Sequence, residues 1–468
     1  MNEEKNVFSK QASDGEGRTV SRSVLVAVVC LVAALSILFT YTFTAASKRQ
    51  YYSEKLAAQQ ETIDRLTTMQ GATADFEDLA LIAEIFERYA YYAGEVSQDA
   101  LITAVLKAYA EATGDAYAEY YTEAEYAEIE AQNAGDMVGI GVSVIQTTLT
   151  VDSTVQPVYQ IIAVYPGSSA ASTTLSVGDY IYALETDEGW VTVAGLGYTK
   201  FLSAFKGESG TTVSFSVYHP TAQNTYESVQ YSIVRAAFES TSVSVKLADA
   251  DPKTAIVQIT NFDLTTPTQF KAAVNACLAQ GIEHFVFDVR NNPGGDLQSI
   301  KAVLSYFLQE NDLILSAIDR GGRVARSYVA APTSLTGDYV SCNVTREEIG
   351  MYANLDMVVL CNENTASAAE VFTATLRDYG LAKIVGETTF GKGIMQTFIP
   401  LSTFGSQYSG YFKFTNYAYV TKCGVTYHEI GIVPEVRVAL SEEAKQYNFY
   451  VLPQDKDNQL GAALAQFE

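Results

Sequence analysis

Residues 363–396 read ENTASAAEVFTATLRDYGLAKIVGETTFGKGIMQ. Ala368, Val371, Phe372, Thr375, Leu376 and Tyr379 recur at helical spacing, which predicts a helix anchored by one face and closed by Gly380. MVVLC (357–361) before it and KIVG (383–386) after it are short, apolar and β-branched, the pattern of buried strands. Strand, helix and strand in this order imply parallel strands joined by a helical crossover. The stretch therefore predicts an α/β core, with Ser367 at the start of a helix and Lys392 between two glycines.

The pattern extends upstream. From Ala255 onward strands and helices alternate: HFVFDV (284–289) as a strand, NNPGG as a turn, LQSIKAVLSYFLQ as a helix and LILSAI (313–318) as the next strand. In parallel sheets, sites collect in the loops at the carboxyl ends of strands. Two such loops stand out, RNNPGG (290–295) and NENTAS (362–367), and they open on one edge if their strands share a sheet.

The first N–H groups of a helix have no intrahelical partner and carry partial positive charge, which suits an oxyanion. Ala368, next to Ser367, is a natural donor, and Gly294 and Gly295 allow a second backbone to approach closely. A serine nucleophile also needs a base. The chain has three histidines, and His219, His284 and His428 each read better as structural or surface residues. Lys392 is the better base, provided burial lowers its pKa by roughly three units from the ordinary lysine value. Its sequence neighbours are apolar, with no adjacent carboxylate. In a strand, Gln396 would share its face and orient the amine. Taken singly, a serine at a helix start, a GKG turn and an NPGG loop are ordinary structural features; their order and distances together are far more specific.

Around this core the chain divides by composition. Of 468 residues, 48% are hydrophobic, enough for several cores, and the net charge is −24. Residues 1–47 are neutral, so all the excess acidity follows them, which argues against nucleic acid as a partner. No charge occurs over 23–47, long enough for a membrane-spanning anchor that needs roughly 20 apolar residues. The expected order is a cytoplasmic tail (1–22), the anchor (23–47), a linker helix with short coiled-coil spacing (48–74) and a helical segment (75–137). A mostly antiparallel β unit (138–236), the α/β core (237–440) and a C-terminal segment (441–468) follow. Cys277, Cys342, Cys361 and Cys423 lack metal-type spacing and read as free buried thiols, with a Cys342–Cys423 bridge as the alternative.

The constellation resembles the carboxyl-terminal processing peptidases, tail-specific serine proteases with a Ser/Lys dyad. Thr365-Ala366-Ser367-Ala368-Ala369-Glu370 is similar to their nucleophile motif, with Thr365 in place of the usual first serine. Lys392 in Gly391-Lys392-Gly393 and Gln396 four residues later fall where that family has its base and supporting glutamine. Asp288-Val289-Arg290-Asn291-Asn292-Pro293-Gly294-Gly295 matches the segment that supplies an oxyanion-hole glycine. GDAYAEYYTEAEY (114–126), VGIGV (138–142) and HEIGIVPEVRV (428–438) resemble further family segments, whereas 320–350 matches loosely. The resemblance implies a multidomain α/β protein: a helical cap, a PDZ domain and a crotonase-like protease core. Its implied roles are Ser367 as nucleophile, Lys392 as base, Gln396 as orienting partner, and Gly294, Gly295 and Ala368 in the oxyanion hole. Gly139, Ile140, Gly141 and Val142 would form the PDZ carboxylate loop. The expected activity is a membrane-anchored, extracytoplasmic serine endopeptidase acting on proteins with free C-termini. No metal or cofactor is implied, and a homodimer is left open. The rivals are an inactive PDZ scaffold that binds C-terminal tails and a crotonase-type acyl-CoA enzyme.

Overall fold

The computed structural model describes residues 77–467 except 94–95, 135, 187–188, 197–200, 202–203, 206, 223–224, 337–340 and 405–408. The expected tail, anchor and linker helix lie outside the described residues. No described helix is long and apolar enough to cross a membrane. The chain divides after Leu101 into two compact units, 1–101 and 102–468.

Helix α1 (Glu77–Tyr89) belongs to the first unit. Its periodic residues Leu79, Phe86 and Tyr89 are exposed. Helix α2 (Gln98–Ala112) ends before Gly114, whose φ of 80° suits a helix-terminating glycine. A short strand, β1 (Glu119–Tyr121), precedes α3 (Glu123–Ala134) in a region whose sequence pattern predicts only helices.

The β unit begins with β2 (Asp136–Gly139), β3 (Val142–Val151), β4 (Thr154–Val164), β5 (Tyr180–Thr186) and β6 (Gly189–Thr192). A one-turn helix, α4 (Val193–Leu196), leads toward β7 (Thr212–Ala222), β8 (Thr225–Val234) and β9 (Ala236–Glu239). β3, β4, β5, β7 and β8 form an antiparallel sheet in that order, with β6 on β5, and β2 pairs with β9. β3 is an edge strand of this sheet. Tyr159 stacks on Phe201 at 3.6 Å inside the unit's own apolar core.

The α/β core contains β10 (Val243–Leu247), β11 (Thr254–Ile259), α5 (Thr266–Ala279), β12 (His284–Asp288), α6 (Leu297–Ser305), β13 (Leu313–Ile318) and β14 (Val324–Val329). Next come β15 (Thr333–Thr336), β16 (Ser341–Val344), β17 (Asp356–Cys361), α7 (Ala368–Asp378), β18 (Lys383–Gly386) and β19 (Ile394–Pro400). β20 (Tyr411–Thr421), β21 (Val436–Arg437) and α8 (Asn458–Leu464) complete it. One sheet runs β10-β11-β12-β17-β18-β21, parallel from β11 to β21. Its alternate residues face two cores. Phe285, Phe287, Val359 and Ile384 turn toward the large aromatic cluster, while Val286, Val358, Leu360 and Val385 turn toward Leu460 and Ala463 of α8.

Two sequence expectations need correction. β13 does not return beside β12; it pairs antiparallel with β14 and β20 in a second sheet that also holds β1 and β19. The parallel partner of β12 is β17. Helix α7 is not anchored by one face either. Every residue from Ala368 to Leu376 is buried, because the helix packs against β18 of one sheet and against β13 and β20 of the other. Periodicity marks a helix but cannot count the layers that cover it.

Candidate active site

β12 and β17 are adjacent and parallel, so the loops after them emerge on one edge. Polar side chains tie the loops together. Thr365 Oγ1 donates to Val289 O at 2.8 Å, and the Asn362 amide exchanges bonds with Asn291 N–H (2.9 Å) and Asn291 Oδ1 (2.8 Å). Ala366 N–H donates to Asn292 O at 2.9 Å. Thr365 supplies a hydroxyl to this network, as a serine would.

Ser367 stands at the tip of the second loop with φ 55° and ψ −118°, a conformation that costs a non-glycine residue energy. Four donors among the described residues hold the turn through one buried carboxylate. Glu370 Oε2 accepts Ser367 N–H (2.9 Å) and Lys392 N–H (2.8 Å), and Oε1 accepts Gly391 N–H (2.7 Å) and Thr389 Oγ1–H (2.6 Å). Burial pushes the Glu370 carboxyl above its ordinary range, and the converging donors pull it back. The sequence motif includes Glu370 but assigns it no role. The signal was available, since a Glu three residues after a helix-starting serine is a capping-box spacing.

Gly294 lies against the serine. A Cβ there would stand 2.7 Å from Ser367 Cβ and 2.8 Å from Ala368 N, and its φ is 104°. Gly295 is pressed on Phe262, whose O would lie 2.1 Å from an added Cβ. The Gly294 N–H donates within its own loop to Asn292 Oδ1 at 2.8 Å. The Gly295 and Ala368 N–H groups have no hydrogen-bond partner among the described residues.

Lys392 is half-buried just before β19. Burial lowers its pKa from the ordinary lysine value; the positive charge of Lys413 adds to this and Glu370 opposes it. The sequence shows no carboxylate beside Lys392, but the fold brings Glu370 to its backbone. Gln396 is placed differently from expectation. Lys392 lies before β19 and not in it, so the alternation that would put both residues on one face does not apply; the register shift opposite Met395 and Gln396 leaves its extra residue, Asn416, in β20. The Gln396 amide donates to Thr415 Oγ1 at 3.2 Å, and Thr415 N–H donates to Asp115 at 2.6 Å.

The histidines lie elsewhere or are engaged. His428 Nδ1–H donates to Gly391 O at 3.2 Å, and its backbone packs on Gly393. His284 pairs with Asp356 at the opposite end of the parallel sheet, and His219 lies between Asp179 and Tyr231 in the β unit. Cys277, Cys342 and Cys361 are free and buried. Cys423 is also free but exposed, so the Cys342–Cys423 bridge is absent.

In the β unit, Gly139 ends β2, and Ile140 O accepts Ala170 N–H at 2.8 Å. Gly141 has φ 84° and meets Ser168 so closely that an added Cβ would stand 2.0 Å from Ser168 Cβ. Val142 opens the edge strand β3. Val142, Val144, Phe201 and Phe205, read from the sequence as candidates for an apolar side-chain pocket or for core, pack in the unit's core. Leu202 lies outside the described residues.

Residues 253–438 match the model of Peptidase family S41. The S41 segment spans β11 to β21 and contains Ser367, Lys392 and both site loops. The chain is 27% identical to a carboxyl-terminal-processing protease of Picosynechococcus over 61% of its length and 62% of the relative's. It is 26% identical to a probable CtpA-like serine protease of Staphylococcus saprophyticus over 79% of its length and 66% of the relative's. It therefore spans just under two thirds of the length of these relatives. The solved structure of a photosystem II D1 C-terminal processing protease aligns with 73% of this chain and 82% of its own, at 23% identity and a TM-score of 0.46.

Proposed function

We propose that this chain is a serine endopeptidase of the S41 type in which Ser367 attacks and Lys392 is the base. The observation that carries this is the shared Glu370 oxygen, which holds the backbones of Ser367 and Lys392 side by side. In the proposed cycle the neutral Lys392 amine takes the Ser367 hydroxyl proton as Oγ bonds to the scissile carbonyl carbon. Backbone N–H groups of Ala368 and the Gly294-Gly295 loop stabilise the oxyanion. The Lys392 ammonium then protonates the departing amine as the peptide C–N bond breaks. Water, deprotonated by Lys392, hydrolyses the acyl-enzyme and restores the hydroxyl. Gln396 acts at one remove, through Thr415 and Asp115, on the strand beside the lysine.

The proposed architecture places a PDZ-type unit over 138–236 between a helical cap and a crotonase-like core. PDZ domains take up a peptide as an added strand and hold its carboxylate on backbone N–H groups. The Gly139-Ile140-Gly141-Val142 turn leading into the edge strand β3 supports that mode. Substrates would then be proteins with free C-termini. The uncharged stretch 23–47 supports a single-pass anchor with the catalytic part outside the cytoplasm, and a homodimer stays open as a further partner. The test is cleavage of a denatured protein by the full chain and by Ser367→Ala. Turnover by the first and none by the second is expected; equal turnover by both would remove Ser367 from the chemistry.

A further inference from the structure

The turn before β1 carries an aromatic residue to the lysine. Tyr117 presents its ring face to Lys392 Nζ, 4.4 Å from the ring centroid. The turn is built by Asp115. Its Oδ1 accepts Tyr117 N–H at 2.9 Å, and its carbonyl accepts Ala118 N–H at 3.0 Å. The same carboxylate fastens the turn to β20, accepting Thr415 N–H at 2.6 Å and Thr415 Oγ1–H at 3.0 Å. Thr415 faces Gln396 in the β19–β20 register and accepts its amide. A single carboxylate thus ties the Tyr117 turn to Thr415 and, through Thr415, to Gln396.

The next residues of the same segment engage a second lysine. Lys413 Nζ lies 3.1 Å from Glu119 Oε2, 2.6 Å from Tyr121 OH and 4.9 Å from the Tyr121 ring centroid. The charged groups acting on Lys392 are therefore Lys413 from β20, which disfavours the ammonium, and Glu370 from α7, which favours it.

We propose that Tyr117 is a positioning residue for the Lys392 amine: clamped by Asp115, its ring covers Nζ, excludes water from it and keeps it available as a base. This rests on the Ser367/Lys392 reading above. A ring face acts on an amine in two opposed ways. It attracts the cation, and by displacing water it penalises the cation. The proposal is that the second effect wins at Tyr117, where Lys413 already works against the charge.

Three variants of the full chain separate these effects: Tyr117→Phe, Tyr117→Leu and Tyr117→Ala. The readout is the pH at which kcat/KM on a denatured protein reaches half its plateau. Phe keeps the covering face, and its inflection should stay near that of the unsubstituted chain. Leu keeps an apolar cover without the ring's attraction, and its inflection should stay or fall. Ala admits water, and its inflection should rise by about one pH unit, about tenfold in rate on the acid limb. The Lys392 titration read by NMR of labelled lysine in Ser367→Ala and in Ser367→Ala with Tyr117→Ala needs no turnover, and it should show the same rise. An unmoved or lowered inflection in Tyr117→Ala, with near-native melting, overturns the proposal. Absence of cleavage by the unsubstituted chain would instead count against the protease reading, and the NMR comparison would still decide the role of Tyr117.

Discussion

Glu370 Oε2 accepts the backbone N–H of Lys392 at 2.8 Å and that of Ser367 at 2.9 Å. One oxygen therefore sets the spacing between two residues that lie 25 positions apart in the sequence. Because Glu370 is fully buried, water cannot replace a bond that is lost there.

Glu370→Gln keeps the side chain's size but turns one acceptor into an NH2 group facing N–H donors. Each buried donor left without a partner costs about 1–3 kcal/mol. Melting should fall, and kcat/KM per folded molecule should fall with it. A variant that melts early but turns over normally once folded would limit Glu370 to a structural role.

Gly294→Ala should be far more harmful to activity than to folding. The new methyl would press on Ser367 Cβ and Ala368 N at a φ of 104°. Displacing the serine and an oxyanion donor should lower kcat by about a hundredfold or more. Gly431→Ala is the contrast, because its Cβ would stand 2.2 Å from Thr389 O and should chiefly reduce the yield of folded protein. Initial rates and melting curves of the two variants test the distinction.

Lys392→Met should stabilise the protein at neutral pH while abolishing turnover. The folded-state pKa of Lys392 is lowered, so its contribution is at its most favourable above the unfolded value of 10.5 and is lost as pH falls through the depressed folded value. Methionine avoids that loss. The melting advantage of Lys392→Met should be present at pH 7 and shrink as pH approaches 10.5. An advantage that grows with pH would contradict the sign.

Arg290 opens the 290–295 loop. It is buried among Asp288, Asp457 and Gln459, with its guanidinium 4.9 Å from the Phe449 ring centroid. Arg290→Met leaves two buried carboxylates without their cation and should cost about 3–5 kcal/mol. Removing 457–468 takes away Asp457, Gln459 and α8 together and should prevent soluble expression. Chemical denaturation of the point variant and recovery of the truncated chain check both outcomes.

Cys423 should react with a thiol reagent in the native protein, slowly at neutral pH because the neighbouring Asp378 charge raises its pKa. Burial raises the pKa of Cys277, Cys342 and Cys361, which should react only after unfolding. Mass spectrometry with and without denaturant counts the labelled thiols.

Local pattern was enough to read the elements of the core. Strands 284–289, 313–318, 357–361 and 383–386 and the helix closed by Gly380 are short-range features, fixed by side-chain period, β-branching and glycine. The Ser367 and Lys392 motifs were legible for the same reason, since loop chemistry at strand ends is written in consecutive residues. The sequence of 75–131 misled, because a three-residue strand such as β1 has too few residues for a period and exists only through its pairing with β20.

Tertiary structure decided everything that depends on residues distant in the chain. It sent β13 to a second sheet, buried α7 between two sheets and left Lys392 outside the strand that carries Gln396. It brought Glu370 to the lysine backbone and Tyr117 to the lysine amine, across 22 and 275 positions. A residue's own sequence neighbourhood records its conformational preference, but its pKa and its partners depend on which other segments pack against it, and those contacts arise only when the sheets close.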